Sequence, residues 1–350
     1  MKYSRNKNLK PLGFILKYNL FVLLFLSLSS SSHYLNYEYI MTVNGSIEAK
    51  KMGTTLIHEH VMVDWIGADS TGYHRWNRNE VVLRVLPFLE EIKQYGVNTF
   101  LDCTPAYLGR DPYILKELSD KTGLNILTNT GYYGAKNNKF VPKIVFEASP
   151  EEIAKKWIDE FNNGIDSSGI RPGFIKISVD QDNKLSNLHE KLIRAAALTH
   201  LNTGLTIVSH TGPQGPALAQ ITILKQMGVS SEAFVWTHAQ SGTMEGYVKA
   251  AEQGAWISLD NVSAEPERIK WYIKTLCELK EKKLLSHVLI SHDAGWYDVG
   301  EEIGGDFRGY TAVFTKLVPE LKKNNFSKKD IDLLLRDNPK RAYTIKIRKL

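Results

Sequence analysis

Short runs rich in β-branched and large apolar residues alternate along this chain with longer stretches whose apolar positions recur at helical spacing. The short runs fall at residues 54–58, 97–102, 125–129, 173–178, 204–209, 233–237, 255–259 and 287–291, eight in all. The stretches between them carry helix signals. Ser149-Pro150-Glu151-Glu152 supplies a cap, a first-turn proline and acids ahead of Ile153, Ala154, Trp157, Ile158 and Phe161. Ser186 opens another helix, closed by Gly204, and Ser327 with Asp330 caps the last one. Pro87 lies inside the first long helix, where a lost backbone donor predicts a kink or break. Ahead of all these, residues 41–47 read as a hairpin turning at Asn44-Gly45.

Strands that alternate with helices imply right-handed crossovers and a parallel sheet. Eight such units predict an α/β fold closed into a (β/α)8 TIM barrel. The dinucleotide-binding alternative lacks its Gly-x-Gly-x-x-Gly after the first strand. With 350 residues and no break in composition, the expected organisation is one barrel domain over residues 41–350.

The net charge of +6 weakens as a sign of nucleic-acid binding once it is located. Lys2, Arg5, Lys7, Lys10 and Lys17 all lie in the first 32 residues, which contain no acid, and the rest of the chain is near +1. No nucleic-acid partner is expected. The basic start, an apolar run over residues 20–28 and four serines predict a signal peptide over residues 1–32, hence export to the periplasm or beyond. An uncleaved run would instead be a short membrane anchor. Cys103 and Cys277, far apart and each in apolar surroundings, read as two buried free thiols.

The candidate chemistry clusters at one end of the runs. His58 and His60 end the first, Lys176 lies in the fourth, and His210, His238 and Asp293 follow the fifth, sixth and eighth. Strand ends of a parallel barrel share one face, so six groups far apart in sequence converge there. Residues two apart in a strand point the same way, so His58 and His60 reach inward together while Glu59 points elsewhere. His292 has the opposite facing to Asp293. Four histidines and an aspartate exceed what one open zinc site needs, which points to two metal ions. Lys176 admits two readings: a carbamate, formed with carbon dioxide, that bridges the metals, or an ammonium paired with an acid away from them. A serine hydrolase is disfavoured because no Gly-x-Ser-x-Gly elbow is present. A metal- or ligand-binding barrel without activity is the non-enzymatic rival.

These residues lie in motifs that make the chain similar to the phosphotriesterase family of the amidohydrolase superfamily, which includes phosphotriesterase-like lactonases. The marks are Thr42-Val-Asn-Gly45, Gly53-Thr-Thr-Leu-Ile-His-Glu-His60, Gly109-Arg-Asp-Pro112, Gly131-Tyr-Tyr133, Gly173-Phe-Ile-Lys176, Thr237-His-Ala-Gln240, Ser291-His-Asp-Ala-Gly295 and Asp337-Asn-Pro339. The resemblance implies that His58, His60 and Asp293 hold the more buried of two divalent ions and His210 and His238 the more exposed one. Lys176 would be their carboxylated bridge, a carbamate derived from CO2, and Asp293 would accept a proton as a bridging hydroxide attacks. Zinc is the expected metal, with manganese, cobalt or iron also compatible with such donors. Tyr133 and Trp296 are placed to contact substrate, and residues 296–310 form the expected specificity loop. The reading is hydrolysis of a small-molecule carboxyl ester or lactone, with phosphotriester cleavage as a side activity and an N-acyl amino acid as the alternative substrate. A homodimer is implied by the resemblance.

Overall fold

The computed structural model describes residues 38–182 and 184–350. The segment expected to be a signal peptide lies outside the described residues. Tyr39–Thr42 (β1) and Gly45–Glu48 (β2) form the hairpin, with Thr42 facing Gly45. The turn is therefore Val43-Asn44, one residue earlier than expected. Thr42 closes it: its hydroxyl donates to the Gly45 carbonyl and accepts from the Asn44 N–H.

The barrel strands are Thr54–Val63 (β3), Val97–Asp102 (β4), Asn125–Leu127 (β5), Asn129–Thr130 (β6), Phe174–Ser178 (β7), Ile207–His210 (β8), Phe234–Thr237 (β9), Trp256–Leu259 (β10) and Val288–Ile290 (β11). β5 and β6 are halves of one strand interrupted at Thr128; the first pairs with β4 and the second with β7. Every pairing from β3 to β5 and from β6 to β11 is parallel. The ring closes just past β11, where the Asp293 N–H donates to the His58 carbonyl (3.0 Å) and the His60 N–H to that of Ala294 (2.8 Å). The fold is a (β/α)8 barrel. β3 does not stop at His60 but continues to Val63, and there Gly295–Asp298 (β12) pairs with it, so the first residues of the expected specificity loop are a strand.

The caps at Ser149, Ser186 and Ser327 form as expected, each with a reciprocal bond from the third helical residue. Pro87 does not break its helix, Arg78–Lys93. The carbonyl it leaves without a donor belongs to Leu83, on the exposed face of the helix, where water can serve it. Cys103 is buried, but Cys277 is partly exposed on the helix Pro266–Glu281, contrary to the expectation for both. Ile57, Leu101, Leu127, Phe174, Val208, Val235 and Leu289 fill the barrel interior beneath the histidines.

A buried histidine ties the end of the chain to the barrel. His200 Nδ1–H donates to the Leu205 carbonyl (2.8 Å), so Nε2 is free to accept from the Arg348 N–H (2.9 Å). Burial first, then the Arg348 guanidinium, lowers the His200 pKa. The unfolded chain thus takes up this proton at a higher pH than the folded one. The stabilisation is fully present above about pH 6.5 and is lost progressively as pH falls from there through the lower folded pKa, with a slope of at most about 1.4 kcal/mol per pH unit. Thermal unfolding at pH 7.5 and 5.5 should show a smaller pH-dependent drop in His200→Gln than in wild type; equal drops would remove His200 from the account.

Candidate metal centre

β3 brings its two histidines to the same side through an irregularity. Leu56 packs outward against the helix layer and Ile57 faces the interior, and the pairing register with β4 shifts between Leu56 and Glu59. The bulge lets His58 face inward directly after Ile57, and alternation then brings in His60. In β7, Phe174 and Lys176 face inward while Ile175 and Ile177 meet the helices. His238 breaks alternation, which would send it outward with Phe234 and Trp236. Its φ of 58° turns the side chain back to the site. Asp293 and Trp296 also sit at positive φ (52° and 74°), a cost that non-glycine residues bear mainly where the surroundings impose it. Two glycines are required by backbone proximity: a Cβ at Gly131 would lie 2.0 Å from the Lys176 carbonyl oxygen, and one at Gly295 1.8 Å from that of His60.

The six expected residues converge. His58 Nε2 lies 3.7 Å and His60 Nε2 3.1 Å from Asp293 Oδ1, and Lys176 Nζ is 3.5 Å from His58 Nε2. The His58 and His238 rings are 5.0 Å apart and those of His210 and His238 4.3 Å. The histidine tautomers follow from their outer partners. Thr104 donates its hydroxyl proton to the Met62 carbonyl (2.8 Å), so it accepts from His60 Nδ1 (2.8 Å). Asp260 accepts from His58 Nδ1 (2.9 Å) with one oxygen and from His238 Nδ1 (2.8 Å) with the other. Burial, then nearby Lys176, lowers the His58 pKa to about 3, and burial lowers that of His60. Both shifts favour the neutral rings, in which Nδ1 carries the proton and the Nε2 lone pair faces an aspartate oxygen. Three acceptors facing one another fit a shared cation.

The remaining groups complete the electrostatics. Burial, then His238 and Lys176, holds the His210 pKa well below its usual value. Burial also pulls on His238, but Asp260 outweighs it and the net shift is upward. Burial would protonate Asp293, yet the imidazoles of His60, His58 and His238 around it hold its carboxyl well below the usual carboxylate range. Lys176 is buried, and no carboxylate among the described residues lies within 4.0 Å of its ammonium. The paired-acid reading of Lys176 thus finds no partner.

Tyr133 Oη lies 3.2 Å from His210 Nδ1, and Trp296 stacks on His60 with ring centroids 3.9 Å apart. Trp65, absent from the sequence reading, stacks on Trp296 in turn at 5.6 Å, and Phe140 and Leu108 extend this apolar wall. Asp260 was also missed. It is two residues beyond the inward-facing Ser258 at the end of β10, the position that singled out the other candidates.

The Gly109-Arg-Asp-Pro112 motif is structural. Arg110 grips Glu160 through both terminal nitrogens and the Asn129 carbonyl, while Asp111 caps the helix Pro112–Thr122 and accepts from Trp76 and Arg78.

Comparison with known proteins places this geometry among relatives. A family model described as Phosphotriesterase family matches residues 38–343. The chain is 28% identical to the phosphotriesterase homology protein of Escherichia coli strain K12, over 83% of this chain and 98% of the relative. It is also 28% identical to an aryldialkylphosphatase of Saccharolobus solfataricus, over 85% and 97%. A phospho-furanose lactonase of Mycoplasmopsis synoviae (26%; 87% and 91%) and an N-acetyltaurine hydrolase of Dictyostelium discoideum (24%; 87% and 98%) match at similar length. Among solved structures, an organophosphorus hydrolase from Deinococcus radiodurans superposes with a TM-score of 0.76 at 24% identity, covering 88% of this chain and 97% of that one.

Proposed function

The chain belongs to the phosphotriesterase family and is a hydrolase, and from that premise we propose that it cleaves a compact carboxyl ester or lactone at a binuclear metal site. The observation that carries the reading is the set of converging lone pairs of His58, His60 and Asp293 beside a buried lysine without an acid. In this reading His58, His60 and Asp293 would hold one divalent ion and His210 and His238 another, with Lys176, once carboxylated, supplying an anionic group to the site. Bound there, the ions would polarise the scissile bond and supply hydroxide near neutral pH.

The chain's own groups do the rest. Asp260 and Thr104 fix the imidazole tautomers, so that donor atoms are aimed before any ligand arrives. Asp293, held ionised, is the acceptor for the proton of the attacking water. Tyr133, beside His210, offers its hydroxyl to the substrate oxygen that gains charge. The wall of Trp296, Trp65 and Phe140 takes the apolar body of the substrate and keeps bulk water off.

The test is to measure metal per chain and then assay lactones, aryl esters, N-acyl amino acids and a phosphotriester. About two ions per chain, with lactone or ester hydrolysis abolished by chelation, is the expected result. Activity indifferent to a chelator would end the binuclear reading. Preference for N-acyl amino acids, favoured by the relative named N-acetyltaurine hydrolase, would replace the ester assignment and keep the site. Trp296→Ala should raise KM about ten-fold with a smaller change in kcat, because it removes apolar area that touches ground state and transition state alike. An unchanged KM in steady-state kinetics would exclude Trp296 from the substrate wall.

A further inference from the structure

Glu59 stands between two of the proposed ligands in sequence, faces away from them and is fully buried. Its carboxylate takes four hydrogen bonds from the residues that bracket Asp293. Oε1 accepts from Ser291 Oγ (2.7 Å), from the His292 backbone N–H (3.1 Å) and from His292 Nδ1 (2.7 Å), and Oε2 accepts from the Ala294 N–H (3.0 Å). The direction of the imidazole bond is fixed, because His292 Nε2 accepts from the Val313 N–H (2.9 Å) and a neutral ring then carries its proton on Nδ1. Ser291 Oγ in turn accepts from the His58 N–H (3.1 Å). The residue in the middle of this cradle, Asp293, has the left-handed backbone.

We propose that Glu59 is a positioning residue for the metal site: through Ser291, His292 and Ala294 it holds Asp293 in the backbone conformation that aims its carboxylate between His58 and His60. Glu59 is covalently flanked by two of the donors and hydrogen-bonded to both sides of the third, so one carboxylate sets the geometry of all three. The same clamp receives the chain again beyond the specificity segment. Val313 bonds His292, and the Tyr310 hydroxyl donates to the His60 carbonyl (2.9 Å). The inference rests on the binuclear reading above.

The experiment titrates Co2+, whose visible absorption reports ligand geometry, into metal-free wild type, Glu59→Gln, His292→Leu and His292→Asn. A glutamine offers one acceptor oxygen and turns an NH2 toward N–H donors, so it cannot hold the cradle. The expected results for Glu59→Gln are about 10–100-fold weaker Co2+ binding, an altered spectrum at saturation, and a lower kcat with KM unchanged. His292→Leu should lose affinity in the same sense, and His292→Asn, which keeps a donor near the Nδ1 position, should recover most of it. Co2+ affinity within about two-fold of wild type with an unchanged spectrum would overturn the proposal. So would a variant whose only defect is a lower melting temperature of the metal-free protein. Wild type that takes up no Co2+ would sink this inference together with the hydrolase site, whereas normal uptake by both wild type and Glu59→Gln would sink this inference alone.

Discussion

Lys176→Met is expected to lower kcat/KM by about a thousand-fold or more, a loss of several kcat-determining kcal/mol of the order that metal activation supplies. Bound metal should fall from about two ions per chain to one or fewer. The reasoning starts from desolvation. An ammonium buried without a counter-charge is expensive, and the nearest polar neighbour of this one is the lone pair of a neutral imidazole. Conversion to a carbamate reverses the sign of the group and gives two cations an anionic partner. The two states predict opposite effects of methionine on stability once metal is present. If the lysine is a plain ammonium, its removal relieves a buried charge and raises the melting temperature with or without metal. If it is the bridge, methionine leaves the metal-free protein as stable as wild type or more so, but forfeits the stabilisation that added metal confers. Metal analysis, kinetics and melting curves with and without metal decide between them. Full activity with two ions bound would exclude the bridge.

Asp260→Asn should have the next largest effect, about a hundred-fold in kcat and 10–100-fold in metal affinity. Asp260 is fully buried and accepts from both His58 and His238 at Nδ1, from the His238 N–H, and from Ser258 (2.6 Å). Burial alone would raise its pKa, but His238 and His58 hold the carboxyl well below its usual range. Each ring meets a different oxygen, so only a carboxylate offers an acceptor to both. An asparagine amide must turn its NH2 toward one of them, which drives that imidazole to the other tautomer and puts a proton where a metal donor should be. Because the two rings belong to different metal positions in the proposed site, a single substitution should weaken both ions. Titration that shows one ion lost and the other bound normally would confine Asp260 to one histidine.

The barrel and the convergence of the six candidate residues were legible in the sequence because both follow a repeating pattern. Eight apolar runs of strand length, separated by helical stretches, leave few topologies, and the polar residues at the same end of five of them stand out against the alternation. Asp260 obeys the same rule, two places after Ser258 on the inward face, but a lone aspartate after a strand looks like a turn former. What the pattern could not show was backbone inversion. His238, Asp293 and Trp296 adopt conformations that favour glycine, and nothing in their identities announces it. β12 escaped for a related reason. Its few residues follow a glycine and mix aromatics with an acid, so they carry no alternating apolar stripe. The hairpin was placed one residue off because Thr42, not the Asn-Gly pair, organises the turn. The continuation of the first long helix through Pro87 depended on which face of that helix met water.

The donors enter from β3, β7, β8, from just past β9 and from beyond the eighth barrel strand, so that the first and last are separated by most of the polypeptide. No fragment shorter than His58 to Asp293 contains all six residues, and Asp293 reaches the others only when the ring has shut against β3. If the proposed site binds metal, loading would read out finished synthesis and folding. On that reading a molecule truncated before Ser291, or arrested with one seam open, would lack the third donor of the set and gain nothing from available metal, whereas an intact molecule would be stabilised by it. Metal supply would in this way act as quality control, widening the gap in lifetime between completed chains and defective ones.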